Sequence, residues 1–266
     1  MKLKKLKIKN YKVLQNFEID FTDKDDNFLD TIVIAGVNGS GKSTLLELIE
    51  KSLSKDFSFN DRDDFVEFID KDPNKLIYLR VFDNQKKLVT LKIKDFLDYI
   101  REKNENLTIL ESNQKLVKEI NSIFDGLELK TKFKGISKNI KREILFENDI
   151  RDDIKLDELS TGEQQLFIRA LGLKMMDLHN CIILIDEPEL SLHPNWQNHI
   201  LKVYQNIAQQ GDNQLIVATH SPQIVSSAPN NSLRILVKNG RDIEVKEYNV
   251  PLCQDHLIKY SYSTNL

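Results

Sequence analysis

Thr31-Ile-Val-Ile-Ala-Gly-Val-Asn-Gly-Ser-Gly-Lys-Ser-Thr44 runs directly into Leu45-Leu-Glu-Leu-Ile49. Its first five residues are mostly β-branched and apolar, a short buried strand, and its last five repeat leucine and isoleucine at helical spacing. Of the nine glycines in the chain, Gly36, Gly39 and Gly41 fall together between these two patterns. Strand, glycine loop and helix form the setting that the GxxxxGK[ST] pattern requires. Such a loop turns its backbone N–H groups toward phosphate oxygens at a helix N-terminus, where unpaired donors and the helix dipole both favour an anion. In that arrangement Lys42 reaches the β- and γ-phosphates, Ser43 offers a hydroxyl to Mg²⁺, and Thr44 adds a phosphate contact. A glycine turn that merely joins a strand to a helix is the competing reading, and the full pattern makes it the weaker one.

Farther along, Cys181-Ile-Ile-Leu-Ile185 is continuously apolar, as in a central parallel strand covered on both faces. Asp186 and Glu187 end it. Ligands of open α/β sheets bind beyond the carboxyl ends of the strands, so these acids are expected where the glycine loop opens. Asp186 is assigned to Mg²⁺ and Glu187 to the attacking water; two acids capping a strand before Pro188 is the plainer alternative. A third apolar strand, Gln214-Leu-Ile-Val-Ala218, leads to Thr219-His-Ser-Pro222. His220 is expected at the γ-phosphate end of the same edge, although a histidine after a strand is often structural.

Between these halves lies Leu159-Ser-Thr-Gly-Glu-Gln-Gln165, opening a helix through Leu166, Ile168, Ala170 and Leu173. Ser160 reads as its N-cap and Glu163 as the reciprocal partner of a capping box. The same helix tip, with Ser160 and the N–H of Gly162, is also an anion site. One chain cannot easily aim two such tips at one phosphate, whereas a second subunit could.

Composition sets the outer limits. The 266 residues, 30.9 kDa, accommodate one large domain or a core with a subdomain. At 40% hydrophobic and 30% charged the chain reads as globular, and it has no apolar run of about 18 residues, the length of a membrane span. Lys+Arg 38 against Asp+Glu 41 gives a net charge of -3, so no global basic field announces nucleic acid, though a local patch is compatible with it. Cys181 and Cys253 stand far apart, which excludes a disulfide scaffold or zinc hook and points to a reducing compartment. Lysines alternate with leucine and isoleucine from Met1 to Lys9, unlike a signal peptide, so a cytoplasmic location is expected.

Taken together these motifs resemble the ABC-type ATPases of the RecF, SMC and OLD branch, here as a small stand-alone ATP-binding protein of the AAA class. Walker A is Gly36 to Thr44, the signature Leu159 to Gln165, Walker B Ile182 to Glu187, the D-loop Ser191-Leu-His-Pro194 and the switch histidine His220. Leu6 to Lys12 and Phe17 to Phe21 resemble the paired N-terminal strands of the branch, which implies that Lys12 approaches the nucleotide; a lysine-rich solvated edge strand is the plainer reading. The resemblance implies an α/β fold of the ABC-type P-loop class: a mixed central sheet, an N-terminal antiparallel β subdomain and a short helical insertion. It implies ATP and Mg²⁺ as ligands, with Asn38 and Ser40 lining the loop beside Gly36, Gly39, Gly41, Lys42, Ser43 and Thr44. It further implies an ATP-dependent homodimer, in which Ser160 and Gly162 of one subunit close the nucleotide site of the other. Glu187 would activate water and His220 would sense the γ-phosphate.

The expected single domain runs over 1–266: an N-terminal lobe 1–94 with Walker A, a mainly helical insertion 95–150, and a C-terminal lobe 151–266 with signature, Walker B and His220. No Q-loop is assigned, because Gln85 reads as the turn of a hairpin between Leu76–Phe82 and Leu88–Ile93. The periodicity between Asp95 and Phe124 is helical but too short for SMC-like arms. Leu233–Val237 and Ile243–Glu247 read as a hairpin around Asn239-Gly240, and the segment after His220 is expected to be too short for the nuclease domain of OLD proteins. The acids Asp61, Asp63, Asp64, Glu67, Asp70 and Asp72 lack EF-hand spacing and read as a solvated face, and Trp196 as core or a subunit contact. The leading expectation is an ATP-hydrolysing switch governing a separate effector, a nuclease or toxin, in antiviral defence or DNA repair, with nucleic acid kept open as a partner and no membrane. The alternatives are the nucleotide-binding subunit of a transporter, disfavoured by Ser160-Thr-Gly-Glu-Gln, Leu192-His-Pro and the missing Q-loop, and a non-hydrolysing ATP-bound scaffold, disfavoured by Glu187 and His220.

Overall fold

The computed structural model describes residues 1–80, 108–137, 143–240 and 242–248. The chain forms two compact units. One comprises Met1–Val81, Leu178–Leu190 and Ala208–Leu266, the other Phe82–Asp177 and Ser191–Ile207.

In the first unit, β1 (Lys2–Tyr11) and β2 (Leu14–Asp20) form an antiparallel hairpin, and β4 (Phe65–Ile69) pairs antiparallel with the other side of β1. A second sheet combines β3 (Thr31–Ala35), β5 (Leu76–Leu79), β9 (Ile182–Asp186), β10 (Gln214–Thr219), β11 (Leu233–Asn239) and β12 (Asp242–Tyr248). Its order is β12-β11-β3-β10-β9-β5, parallel except for the β11–β12 hairpin. The sheet is therefore mixed, and β3, β9 and β10 are buried at every residue, as their continuous apolar runs require.

Helix α1 (Lys42–Lys51) follows the glycine loop. Its Leu45, Leu46, Leu48 and Ile49 join one core with Leu6, Ile8, Leu14 and Phe17 of the hairpin and Ile32, Ile34, Leu184 and Ile216 of the parallel sheet. Each such side chain contributes about 1.5–3 kcal/mol of burial free energy. Buried polar groups tie the two sheets together. The Gln214 amide accepts from the Leu3 N–H at 2.7 Å and donates to the Leu3 and Leu29 carbonyls, both at 3.1 Å. The buried Arg234 guanidinium donates to the carbonyls of Asp20, Thr22, Asn231 and Leu233.

β1 is a central strand, which corrects the reading of its lysines as a solvated edge. Four of its lysines pair with acids from neighbouring segments, Lys2 with Asp30 and Asp212, Lys4 with Asp26, Lys5 with Glu18 and Lys9 with Asp61, and Lys12 just beyond the strand pairs with Glu47.

The second unit contains α2 (Ile109–Ile123), started by a Thr108–Glu111 capping box, within the stretch expected to be helical. The rest of the described insertion is not helical. β6 (Lys132–Ile136), β7 (Ile144–Glu147) and β8 (Ile154–Lys155) form an antiparallel sheet. Lys132-Phe-Lys-Gly-Ile136 alternates outward and inward residues with period two, and the Asn121 side-chain amide holds both the N–H and the carbonyl of Phe133 at 2.9 Å. Phe133, Phe146, Phe167 and Phe124 pack edge-on and tilted, carrying the sheet onto α3 (Thr161–Lys174) and the C-terminal end of α2. The remaining α-helices among the described residues are α4 (Pro194–Gln209) and α5 (Pro222–Ser226). Among the described residues no helix is long and apolar enough to cross a membrane. The second arm of the hairpin expected after Leu76 and its turn at Gln85 lie outside the described residues, as does Cys253. β5 itself pairs parallel with β9 and is the last strand of this sheet among the described residues.

Candidate nucleotide site

Strand register builds one edge of the parallel sheet. Thr219 lies opposite Ala35, and Ala218 opposite Asp186, so the residues that follow β3, β9 and β10 emerge side by side. These are Gly36, Glu187 and His220. The Glu187 N–H continues the ladder to the Ala218 carbonyl at 2.9 Å, and Glu187 takes φ 44°, a sparsely populated conformation for a non-glycine residue.

The loop from Gly36 to Gly41 needs its glycines for two reasons. A Cβ on Gly36 would lie 2.5 Å from Ser40 Oγ and 2.9 Å from the Leu236 carbonyl oxygen, so a side chain there would fill the cradle. Gly41 takes φ 92°, and a Cβ would press on Leu14, Ile243 and Val13. The tip of the β1–β2 hairpin therefore lies against the start of α1. Asn38 and Gly39 are exposed, Thr44 is half-buried, and Ser40 is fully buried with no hydrogen-bond partner for its Oγ among the described residues. Lys42 bends back into the loop and donates to the Gly36 carbonyl at 2.8 Å and the Val37 carbonyl at 3.1 Å. Burial pulls its ammonium below the usual lysine range, against the opposing pull of Glu187, Asp186 and Glu189.

Asp186 is buried at the end of β9. Burial raises its carboxyl above the ordinary range, a shift reinforced by Glu187 and opposed by the Ser43 hydroxyl, Lys42 and Tyr78. Tyr78 donates from β5 to Asp186 Oδ2 at 3.5 Å, and Arg80 lies 4.6 Å from the Tyr78 ring centroid while pairing with Glu50. Asp186 Oδ1 is buried without a hydrogen-bond partner among the described residues. An orphaned carboxylate oxygen on a residue that also meets the Ser43 hydroxyl suits a hard divalent cation with oxygen ligands, so these residues fit Mg²⁺.

His220 Nδ1 lies 3.3 Å from Glu187 Oε1 and 3.2 Å from Glu189 Oε1. Lys12 sits at the hairpin turn with φ 53°, its ammonium 2.5 Å from Glu47 Oε2 on α1. It is thus directed at the helix that follows the loop, and reaching a nucleotide requires exchange of that ion pair.

In the second unit, Ser160 caps α3 as its sequence requires. Its Oγ accepts from the Glu163 N–H at 3.3 Å and donates to Glu163 Oε2 at 2.6 Å, while the Ser160 N–H donates to the same oxygen at 3.1 Å. Thr131, buried before β6, donates its hydroxyl to Glu163 Oε1 at 2.5 Å.

A sequence model of the AAA-domain family whose description carries the words AbiEii toxin and Type IV TA system matches residues 54–226, well over half of the chain. The chain belongs to this AAA-domain family. A model of the AAA ATPase domain matches residues 1–89. The chain is similar to the Septu protein PtuA of Bacillus thuringiensis, 36% identical over 29% of this chain and 19% of PtuA. It is also similar to the protein named as the ATPase of the Escherichia coli retron Ec83, 42% identical over 23% of this chain and 10% of that protein. The matches thus span a fifth or less of these relatives. Phosphonates import ATP-binding protein PhnC of Mycoplasma mycoides is 27% identical over 87% of this chain and 86% of its own length. Among solved structures, an SMC head bound to the C-terminal winged helix of ScpA superposes with a TM-score of 0.59 at 16% identity, covering 94% of this chain and 98% of that one. The nucleotide-binding cassette MJ1267 superposes with a TM-score of 0.52 at 18% identity, covering 99% and 97%. The fold is that of ABC-type and SMC ATPase heads.

Three features of this AAA-domain family member escaped the sequence reading. Tyr78 reaches Asp186 only because β5 pairs with β9, which no local pattern announces. Glu189 stands two residues beyond Glu187, and a third acid in Asp186-Glu-Pro-Glu189 was the available signal. Gly162 has a packing reason of its own: a Cβ there would lie 2.6 Å from the Ser191 carbonyl oxygen, so the D-loop backbone closes on the signature helix.

Proposed function

We propose that this ATPase binds Mg²⁺-ATP at the edge formed by Gly36–Thr44, Asp186, Glu187 and His220, hydrolyses it, and uses the cycle to open and close a homodimer that governs a separate effector. The observation that carries this reading is the convergence of loop, acids and histidine on one sheet edge through the register of β3, β9 and β10. Lys42 exchanges the Gly36 and Val37 carbonyls for the β- and γ-phosphate oxygens, an exchange favoured because both are strong acceptors and the phosphates carry full charge. Ser43 and Asp186 hold Mg²⁺, which when bound spreads the charge of the β- and γ-oxygens. Glu187 accepts a proton from the attacking water, and His220 presents Nε2 toward the γ-phosphate. Ser160 and the Gly162 N–H of a second subunit complete the site, so that ATP joins two copies and its hydrolysis separates them.

The matches to PtuA and to the retron ATPase support a place in antiviral defence, and the words AbiEii toxin in the family description support a toxin or nuclease as the effector. DNA repair is the other setting in which such a switch works. The decisive measurement is phosphate release by wild type and Glu187→Gln, with light scattering in saturating ATP. Loss of release together with an ATP-dependent dimer of Glu187→Gln is expected; equal rates would reject Glu187 as the base, and a monomer would reject the shared site.

A transport reading is favoured by one observation, the similarity to PhnC over most of both chains. The Ser160-Thr-Gly-Glu-Gln signature and the Leu192-His-Pro D-loop count against it. Affinity purification from membranes separates the two: a stoichiometric multi-span protein would establish transport, and a non-membrane effector the switch.

A further inference from the structure

Glu189 is 4% exposed, a buried carboxylate with no part in the reaction described above. A carboxylate taken out of water is costly unless donors surround it, and here the donors come from a single short segment. Its Oε1 accepts from the Thr219 hydroxyl at 2.6 Å, the His220 N–H at 2.9 Å and the Ser221 N–H at 3.1 Å, and His220 Nδ1 lies 3.2 Å away. The other oxygen, Oε2, is buried without a hydrogen-bond partner among the described residues. One oxygen is therefore crowded with donors while its twin has none. That asymmetry is unfavourable for a group serving only to fill space, and it concentrates the carboxylate on the loop that carries the switch histidine.

The geometry points to Glu189 as a positioning residue for His220, a claim that rests on the hydrolytic reading above. Two backbone N–H bonds fix where the loop turns, and the Thr219 bond fixes where the strand ends. The imidazole is set by the third element. Both oxygens facing Nδ1, one from Glu189 and one from Glu187, are acceptors, so Nδ1 is a protonated donor to them, and Nε2 on the other side of the ring donates to a γ-phosphate oxygen only when it carries a proton as well. Glu189 thus couples the turn after β9, which carries Glu187, to the turn after β10, which carries His220. Movement of one drags the other, and the base and the sensor keep a fixed separation through the cycle.

The test compares Glu189→Ala, which removes the acceptor, with Glu189→Gln, which keeps an oxygen able to accept from Thr219, His220 and Ser221. Glu189→Ala is expected to lower kcat for phosphate release by about 10- to 100-fold, the range for second-sphere partners of an oriented histidine, with ATP affinity held within about twofold. Glu189→Gln is expected to restore the rate to within about threefold of wild type, a rescue that mere loss of fold stability would not show in a rate per bound ATP. Nitrogen-15 NMR of histidine-labelled wild type is expected to show His220 as the Nδ1–H tautomer. Wild-type kcat in Glu189→Ala, a Glu189→Gln as slow as Glu189→Ala, or an Nε2–H tautomer in wild type would each overturn the assignment. Should Glu189→Ala fail to fold, the wild-type tautomer still decides. Absence of phosphate release from wild type would sink the hydrolytic reading instead, leaving the NMR result to judge the clamp alone.

Discussion

The glycine-loop edge of the first unit and the Ser160 tip of the second are both helix N-termini, and the proposed function gives each an anion to bind, yet they are built on opposite principles. At the glycine-loop edge, polar groups are left wanting. Ser40 Oγ, Asp186 Oδ1 and Glu189 Oε2 are buried without hydrogen bonds among the described residues, Asp186 is shifted up and Lys42 down by burial, and Glu187 holds a positive φ. At the Ser160 tip, Ser160, Glu163 and Thr131 satisfy one another locally. The first site lowers stability until a charged ligand arrives, as preorganised sites do. The second is satisfied as it stands, and under the proposed function its serine gives up Glu163 to serve a phosphate.

The largest effect that would break this comparison is chemical. Glu187→Gln keeps the shape of the edge and removes the proton acceptor, so phosphate release should fall by about 10²- to 10⁴-fold, the range for a general base, measured against wild type at saturating ATP. An unchanged rate would leave the first site as an anion pocket without chemistry.

Gly162→Ala probes the second site where it is tightest. The new Cβ would sit 2.6 Å from the Ser191 carbonyl, backbone that cannot turn aside, so urea unfolding should show a loss of about 1–3 kcal/mol. Full stability would mean that the D-loop is held loosely and that Gly162 serves the anion alone.

Asp186→Asn should act in the reverse direction on the protein without nucleotide. The folded state holds the Asp186 proton more tightly than the unfolded chain does, so its penalty is fully present above the raised pKa. It fades as pH falls from there toward the ordinary carboxylate range. The substitution should raise Tm at neutral pH by about 2–4 °C, the equivalent of 1 kcal/mol in a chain of this size, with the gain shrinking in mild acid. Metal-dependent activity should be lost in the same variant. A Tm lower than wild type at neutral pH would show that Asp186 is already satisfied.

What could be read from sequence follows the same division. Gly36–Thr44, the strand Thr31–Ala35 and the Ser160–Glu163 box are local, since neighbouring residues supply both the pattern and its partners. The apolar runs of β9 and β10 announced buried strands, that of β9 a central parallel one covered on both faces. Partnerships set by register were hidden. Tyr78 meets Asp186 through β5, Glu189 meets His220 across two turns, and Lys12 spends its charge on Glu47 rather than on open solvent. The strands Lys132–Ile136 and Ile144–Glu147 were not legible because short strands give a weak period, and Asn121 and the packed phenylalanines decide the outcome from a distance.

Ser160→Ala carries the smallest expected effect and is the sharpest test of the contrast. Its hydroxyl is both acceptor for the Glu163 N–H and donor to Glu163 Oε2, so removal should cost about 1 kcal/mol of stability, the usual value of an N-cap. The Ser160 N–H and Thr131 still hold Glu163, which limits the loss. ATP-driven dimerisation should weaken in addition, because the same hydroxyl is the group offered to the neighbouring nucleotide. Combining Ser160→Ala with Glu163→Gln separates the roles: if capping alone matters, the two changes share one loss of stability and the dimer constant follows it. A dimer constant that falls in Ser160→Ala and is unaltered in Glu163→Gln assigns the serine to the phosphate of its partner, and a constant that tracks stability in both would reduce the tip to a well-capped helix.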